Sequence, residues 1–193
     1  IVSTPGVVPA LAMLIKTFLK PGDKAIIQTP IYFPFYLVLE LNDIEVVKNS
    51  LINEDGRYHI DFDDLEQKAR DPKTKMLILC SPHNPVGRVW TRAELTRLAD
   101  ICHANNVMVI SDEIHADLTF APFTPFGLVD KTAIVCTAAS KTFNLAGLLT
   151  SNIILPVKEQ REAFQKYLLS NALVDTSIFG ALATETAYRH GAD

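Results

Sequence analysis

Lys141 is the residue around which this chain arranges its reactive groups. It lies in Thr137-Ala138-Ala139-Ser140-Lys141-Thr142-Phe143-Asn144-Leu145-Ala146-Gly147-Leu148, directly after the apolar run Ala133-Ile134-Val135-Cys136. That run reads as a buried strand. Ligands of open α/β sheets bind outside the carboxyl ends of strands. An amine placed there can reach inward instead of lying in solvent. A loop lysine taken at random is more often simply solvated, but three other stretches point to the same kind of site. Asp112 lies in Ser111-Asp112-Glu113-Ile114-His115, after an apolar run ending at Ile110. Asn84 lies in Ser81-Pro82-His83-Asn84-Pro85-Val86-Gly87-Arg88, after a run ending at Cys80. Thr4-Pro5-Gly6-Val7-Val8 precedes the first helical pattern.

These groups meet only if the elements between them stack in order. Val8, Leu11, Leu14, Ile15 and Phe18 recur at helical spacing over 8–20, and Lys20-Pro21-Gly22-Asp23 ends that helix. Strands are expected at 25–27, 45–47, 76–80, 107–110, 133–136 and 151–155. Helices are expected over 32–41, from about Asp61, from the capping box Thr91-Arg92-Ala93-Glu94 to Asn105, over 158–169 and over 176–188. Residues 53–57 are polar and carry no assigned element. Strands that alternate with helices, and are apolar along their whole length, imply a mainly parallel sheet with helices on both faces. The expectation is therefore a three-layer α/β domain. Residues 1–155 form its core, and 156–193 form closing helices that lead towards a further domain.

Composition excludes several classes of function. The 193 residues are 48% hydrophobic with a net charge of −4, enough to bury one sizeable core. The basic residues are scattered, which argues against a nucleic-acid surface. No apolar run approaches the roughly 20 residues of a membrane helix, and no signal peptide is visible. Cys80, Cys102 and Cys136 sit in apolar stretches without a CxxC pair. They read as buried free thiols of a reducing, cytoplasmic compartment, and no metal site is expected. The sequence opens on Ile1 and closes on Arg189-His190-Gly191-Ala192-Asp193 without an evident closing element. A fragment of a longer protein is expected.

Three motifs, Ser-Pro-His-Asn-Pro-Val-Gly-Arg at 81–88, Ser-Asp-Glu-Ile-His-Ala-Asp-Leu at 111–118 and Ser-Lys-Thr-Phe-Asn-Leu-Ala-Gly-Leu at 140–148, occur in this order and spacing. Together they resemble the aminotransferase-like fold-type-I enzymes that use pyridoxal 5′-phosphate. Within these the chain is most similar to the cystathionine β-lyase branch, the C–S lyases. The resemblance covers essentially the whole chain and implies the large cofactor-binding domain of that fold. It implies a homodimer when full length, a small amino-acid substrate, and no nucleic-acid or membrane partner.

The resemblance also implies roles. Lys141 attaches the cofactor as a Schiff base and, once freed, takes the substrate Cα proton. Asp112 pairs with the pyridine nitrogen and Asn84 with the phenolic oxygen. Asn84 also suits a turn before Pro85. Tyr32 stacks on the ring, although a tyrosine after Pro30 could equally be core. Gly6, Val7 and Val8 wrap the phosphate with main-chain N–H groups at a helix start, and Ser140 adds a hydroxyl or shapes the loop. His83 is structural, and His59, His103 and His190 are ordinary surface or helix residues.

Three positions depart from the aminotransferase pattern. His115 stands where tyrosine is frequent, Leu149 where arginine holds the phosphate, and Ala138 where serine is common. The histidine is usual in the C–S lyase branch. β-Elimination is therefore the expected reaction, with transamination as the alternative. A regulatory protein on the same fold is a third reading, because fold does not fix function.

Overall fold

The computed structural model describes residues 1–173 and 176–191, so Val174, Asp175, Ala192 and Asp193, all within the expected closing segment, lie outside the described residues. Its frame is a seven-stranded sheet of order β1-β9-β8-β7-β6-β2-β3. The strands are β1 (Val2–Thr4), β2 (Lys24–Thr29), β3 (Glu45–Ser50), β6 (Thr74–Cys80), β7 (Met108–Asp112), β8 (Ile134–Thr137) and β9 (Ser151–Ile154). β3, β2, β6, β7 and β8 pair in parallel, while β9 runs antiparallel to both β8 and β1. β4 (Ile52–Glu54) and β5 (Arg57–His59) form a separate hairpin.

Side-chain alternation along these strands builds two cores. Ala25, Ile27, Met76, Ile78, Cys80, Ile110, Ile134 and Cys136 face one side. Ile26, Leu77, Leu79, Val109 and Ala133 face the other. The first side is covered by α1 (Val7–Phe18), α2 (Pro34–Glu40) and α5 (Lys158–Ser170), the second by α3 (Phe62–Ala69) and α4 (Arg92–Ala104). This is the expected three-layer arrangement, with a mainly parallel sheet between helices.

Local sequence explains the helix starts. In α4, Thr91 Oγ1 accepts from Glu94 N (3.2 Å), while Thr91 N donates to Glu94 Oε2 (2.7 Å), completing the capping box. Asp61 Oδ1 caps α3 by accepting from Asp64 N (3.0 Å). α1 holds because Ala10, Leu11, Leu14 and Ile15 are fully buried at helical spacing. Truncating Leu14 to alanine would cost about 2–5 kcal/mol.

The structure extends or corrects several expected elements. β7 runs on through Ser111 and Asp112 rather than ending at Ile110. Its two polar residues continue the ladder with Leu79, Cys80, Val135 and Cys136. β1 was not expected, because three residues ahead of a proline carry no period. The hairpin β4–β5 occupies the stretch that held no assigned element, and its β4 is exposed throughout. α6 (Ile178–His190) begins two residues later than expected, with Ser177 Oγ accepting from Gly180 N (3.1 Å). Gly180 permits close docking, since a Cβ there would meet Thr150 Oγ1 at 1.9 Å. Among the described residues, no helix is long and apolar enough to cross a membrane.

Candidate active site

In a parallel sheet all carboxyl ends lie at one edge. β2 ends there before Tyr32, β6 before Asn84, β7 on Asp112 and β8 before Lys141. β1 has the same sense as β8, because β9 runs antiparallel to both. It therefore delivers Gly6 and the start of α1 to that edge. These segments surround a cavity of about 220 Å3. All nine residues singled out from the sequence line it: Gly6, Val7, Val8, Tyr32, Asn84, Asp112, His115, Ser140 and Lys141.

Asp112 is 5% exposed. Its Oδ1 accepts from Ile114 N at 3.0 Å. Burial raises its carboxyl pKa to about 7; that main-chain hydrogen bond opposes the rise, the neighbouring Glu113 adds to it, and the Lys141 ammonium opposes it. Glu113 is also buried and pushed up to about 7, mainly by desolvation. Its Oε1 accepts from Phe126 N (2.7 Å) and Ser111 Oγ (3.0 Å), which fixes the chain after the site. His115 is half-buried, and burial first, then the Lys141 charge, lowers its pKa.

In the sheet register Asp112 pairs with Cys80 on one side and Cys136 on the other. All three side chains point to the same face. Cys80 Sγ donates to Pro82 O (3.3 Å) and accepts from Asn84 N (3.4 Å). Tyr32 N in turn donates to Asn84 O (3.1 Å), joining the loops after β2 and β6. His83 is buried against Trp90, with ring centroids 5.5 Å apart, and its Nε2 bonds Pro30 O at 2.8 Å. It thus has the structural role expected of it. Of the other histidines, His103 contacts the buried Asp130 at 3.1 Å and His59 contacts Glu54 at 3.6 Å.

Lys141 differs from expectation in one respect. It lines the cavity but is exposed, so it lies partly in solvent rather than wholly turned inward. Its loop is held by Phe143 N to Ala139 O (3.0 Å) and Leu145 N to Ser140 O (3.1 Å). A 3-10 turn at Ala146–Leu148 follows and is closed by Leu149 at φ 49°. Leu149, standing where arginine holds the phosphate in many aminotransferases, also lines the cavity, as do Thr150, Pro5, Cys80 and Ile114, which were not singled out from the sequence. Cys80 could have been found: like Asp112 and Cys136, it ends a strand run at the same edge.

The residues fit a phosphorylated, cationic ring. Gly6 caps α1 at φ 133° and ψ 160°, with no side-chain cap. The Val7 and Val8 N–H groups at the helix start are therefore left to an anion. Pro9 has no N–H to leave unpaired. Facing them, the buried Asp112 carboxylate calls for a cationic partner, and Lys141 carries the only primary amine among the described residues that line the cavity. An anion cradle, a buried acid and an amine thus open on one space.

A three-layer α/β fold with this site at the carboxyl edge of its strands defines a class of cofactor-dependent enzymes. The chain belongs to the family described as aminotransferase class I and II, which it matches over residues 1–189. It is 45% identical to cystathionine beta-lyase PatB of Bacillus subtilis strain 168, across 97% of this chain and 50% of that protein. It is 33% identical to protein MalY of Escherichia coli K12, across 100% of this chain and 50% of that protein. Cystalysin from Treponema denticola, whose crystal structure contains pyridoxal 5′-phosphate, superposes with a TM-score of 0.96 at 40% identity, covering 100% of this chain and 50% of that one. The chain spans about half the length of the curated relatives it matches.

Proposed function

We propose that the protein to which this chain belongs is a pyridoxal 5′-phosphate-dependent C–S lyase. On this reading it eliminates the β-substituent of cystathionine or related cysteine S-conjugates, giving a thiol, pyruvate and ammonia. The observation that carries the reading is the shared cavity of Lys141, buried Asp112 and the uncapped start of α1. Similarity to cystathionine beta-lyase PatB supports the reaction class. We also read residues 1–155 as the cofactor-binding core and 156–193 as helices leading to a smaller domain. The working form is a homodimer in the cytoplasm.

Bound here, pyridoxal phosphate supplies an electron sink for the electrons left when the substrate loses its Cα proton. The chain's residues hold it and move protons. Val7 and Val8 N–H groups and the Ser140 hydroxyl take the phosphate. Asp112 keeps a proton on the ring nitrogen, since a carboxylate in a dry site strongly favours a cationic partner. Asn84 would donate its side-chain amide to the phenolic oxygen, and Tyr32 would lie against the ring. Lys141 Nζ would attach the cofactor and, when released, would take the Cα proton as general base. The β-carbon–sulfur bond would then break, the sulfur leaving as a thiol with the proton that Lys141 took up, and water would hydrolyse the remaining enamine to pyruvate and ammonia. His115, whose pKa is lowered by burial and then by the nearby Lys141 charge, occupies the position where transaminases often carry tyrosine.

Reduction of the full-length protein with borohydride should fix the cofactor to the peptide that contains Lys141. Cystathionine supplied without a keto acid should then give pyruvate and free thiol over many turnovers. Transamination is the second reading, favoured by the family description itself. It wins if conversion requires a keto acid and yields no pyruvate from the substrate. Cofactor fixed at another lysine sinks both readings.

A further inference from the structure

The row Cys80–Asp112–Cys136 crosses three adjacent strands, and its first two members line the cavity. Cys136 is fully buried and Cys80 is 3% exposed. Two thiols are an unusual flank for a buried acid. A thiol is a small apolar group with a weak S–H donor, whereas serine in the same space would present a strong O–H donor. Cys80 directs its own proton at Pro82 O, away from the acid. Among the described residues, the hydrogen bond that Asp112 accepts is the main-chain one from Ile114. The remaining charged or titratable groups near it are Glu113, the residue just past the end of its strand, and Lys141 and His115, which line the same cavity.

We propose that Cys80 and Cys136 are positioning residues for Asp112, withholding strong hydrogen bonds from its carboxylate so that its free oxygen is kept for a cationic N–H of the ligand. Cys80 has a second part in this, because its sulfur accepts the Asn84 N–H and so ties the Asn84 loop to the same row. The inference rests on the reading of Asp112 given above. Hydrogen bonds to a carboxylate stabilise its charged form. Supplying a donor from either side therefore makes Asp112 a stronger acid and a weaker partner for a ring N–H+. Both thiols are themselves poor acids: burial, and then the Asp112 charge, raise their pKa values.

The test is a carboxyl titration of Asp112 in the ligand-free, full-length protein, followed by 13C NMR with Asp112→Asn used to assign the signal. Cys136→Ser should increase the acidity of Asp112 roughly tenfold, a downward shift of about one pH unit. Cys136→Ala removes the thiol without adding a donor and should leave the titration near its starting point. Cys102→Ser places a hydroxyl in the core on the opposite face of the sheet and should do the same. Pyridoxal phosphate should bind the Cys136→Ser protein several-fold more weakly. If that variant does not fold, Cys80→Ser carries the test, with a shift in the same direction. An unmoved Asp112 signal in a folded serine variant, or an equal shift in Cys102→Ser, overturns the proposal. The titration needs no cofactor, so it stands apart from the borohydride test of Lys141. A shifted Asp112 without cofactor attachment would sink the enzyme reading, and with it the ligand assigned to Asp112, while upholding the effect of the two thiols on its acidity.

Discussion

Tyr188 Oη donates to Asp117 Oδ2 at 2.7 Å, and so joins α6 to the turn that follows β7. The same carboxylate oxygen accepts from Thr142 Oγ1 at 3.4 Å, and the Tyr188 ring meets Phe143 edge-on at 5.1 Å. Both Thr142 and Phe143 are in the Lys141 loop. A residue 47 positions beyond Lys141, by 188 minus 141, therefore helps to hold that loop.

Tyr188→Phe should keep the ring contact and lose the hydrogen bond. The loss is expected at about 1 kcal/mol or less, since the side chain is half-exposed. Burial, and then the bond to Asp117, raise the Tyr188 pKa to about 12. A neutral phenol is thus preferred in the folded state. This contribution is complete below the ordinary tyrosine pKa and is lost as pH rises through 12. Melting curves between pH 9 and 12 should fall more steeply for the wild type than for the variant.

Asp112 sets a second pH dependence of the same sign, at lower pH. Its folded pKa of about 7 lies above the unfolded value of 3.8. The folded chain therefore binds this proton more tightly than the unfolded one, and stability from this group falls as pH rises from about 4 to 7. Asp112→Asn removes the penalty. At pH 8 the ligand-free variant should melt higher than the wild type, by up to a few kcal/mol in stability, while the two converge near pH 4. On the proposed function, the same change in the full-length protein should leave cofactor attachment at Lys141 intact and greatly slow exchange of the substrate Cα proton. Equal melting at pH 8 would show that the acid is already relieved.

Leu149 sits at φ 49° and is 60% exposed. A left-handed conformation costs a non-glycine residue about 1–2 kcal/mol, and glycine's extra freedom in the unfolded chain costs roughly 0.5–1. Because little burial is lost, relief wins. Leu149→Gly should raise stability by up to about 1 kcal/mol, read as a higher melting temperature. A drop would mean that the leucine side chain holds the cavity wall.

Gly6 is the converse case. An added Cβ would meet Pro9 Cδ at 3.4 Å, an ordinary contact, so space does not forbid a side chain. The φ of 133° does. Gly6→Ala should lose roughly 1–3 kcal/mol of stability. It should also weaken phosphate-dependent binding of the cofactor by more than that of pyridoxal, which lacks the phosphate. Competition between the two compounds measures the difference.

Much of this was legible in the sequence, for identifiable reasons. Ile26–Ile27, Met76–Cys80 and Ile134–Cys136 are apolar on both faces because helices cover both, so they stand out as strands. Thr91 and Glu94 mark the start of α4 by type and spacing alone. The nine cavity residues were reachable because each follows the end of a strand or opens a helix. What stayed hidden depends on partners remote in sequence. β1 is a strand only because β9 lies beside it. Tyr188 matters through Asp117, which nothing in the helical pattern of α6 reveals. The exposure of Lys141 is likewise a property of the surrounding elements rather than of its motif.

The antiparallel pair β1–β9 also bears on how the chain reaches this form. Thr4 Oγ1 meets Ser151 Oγ at 2.7 Å across a separation of 147 residues. Closing so long a loop is entropically among the last things a folding chain can do profitably, and contacts of this range slow folding. The five parallel strands can nucleate and collapse without it, but Gly6 cannot reach the ligand edge until β1 has docked. Competence to bind an anion should therefore lag behind compaction in a refolding experiment, the cradle maturing after the core between sheet and helices is already dry.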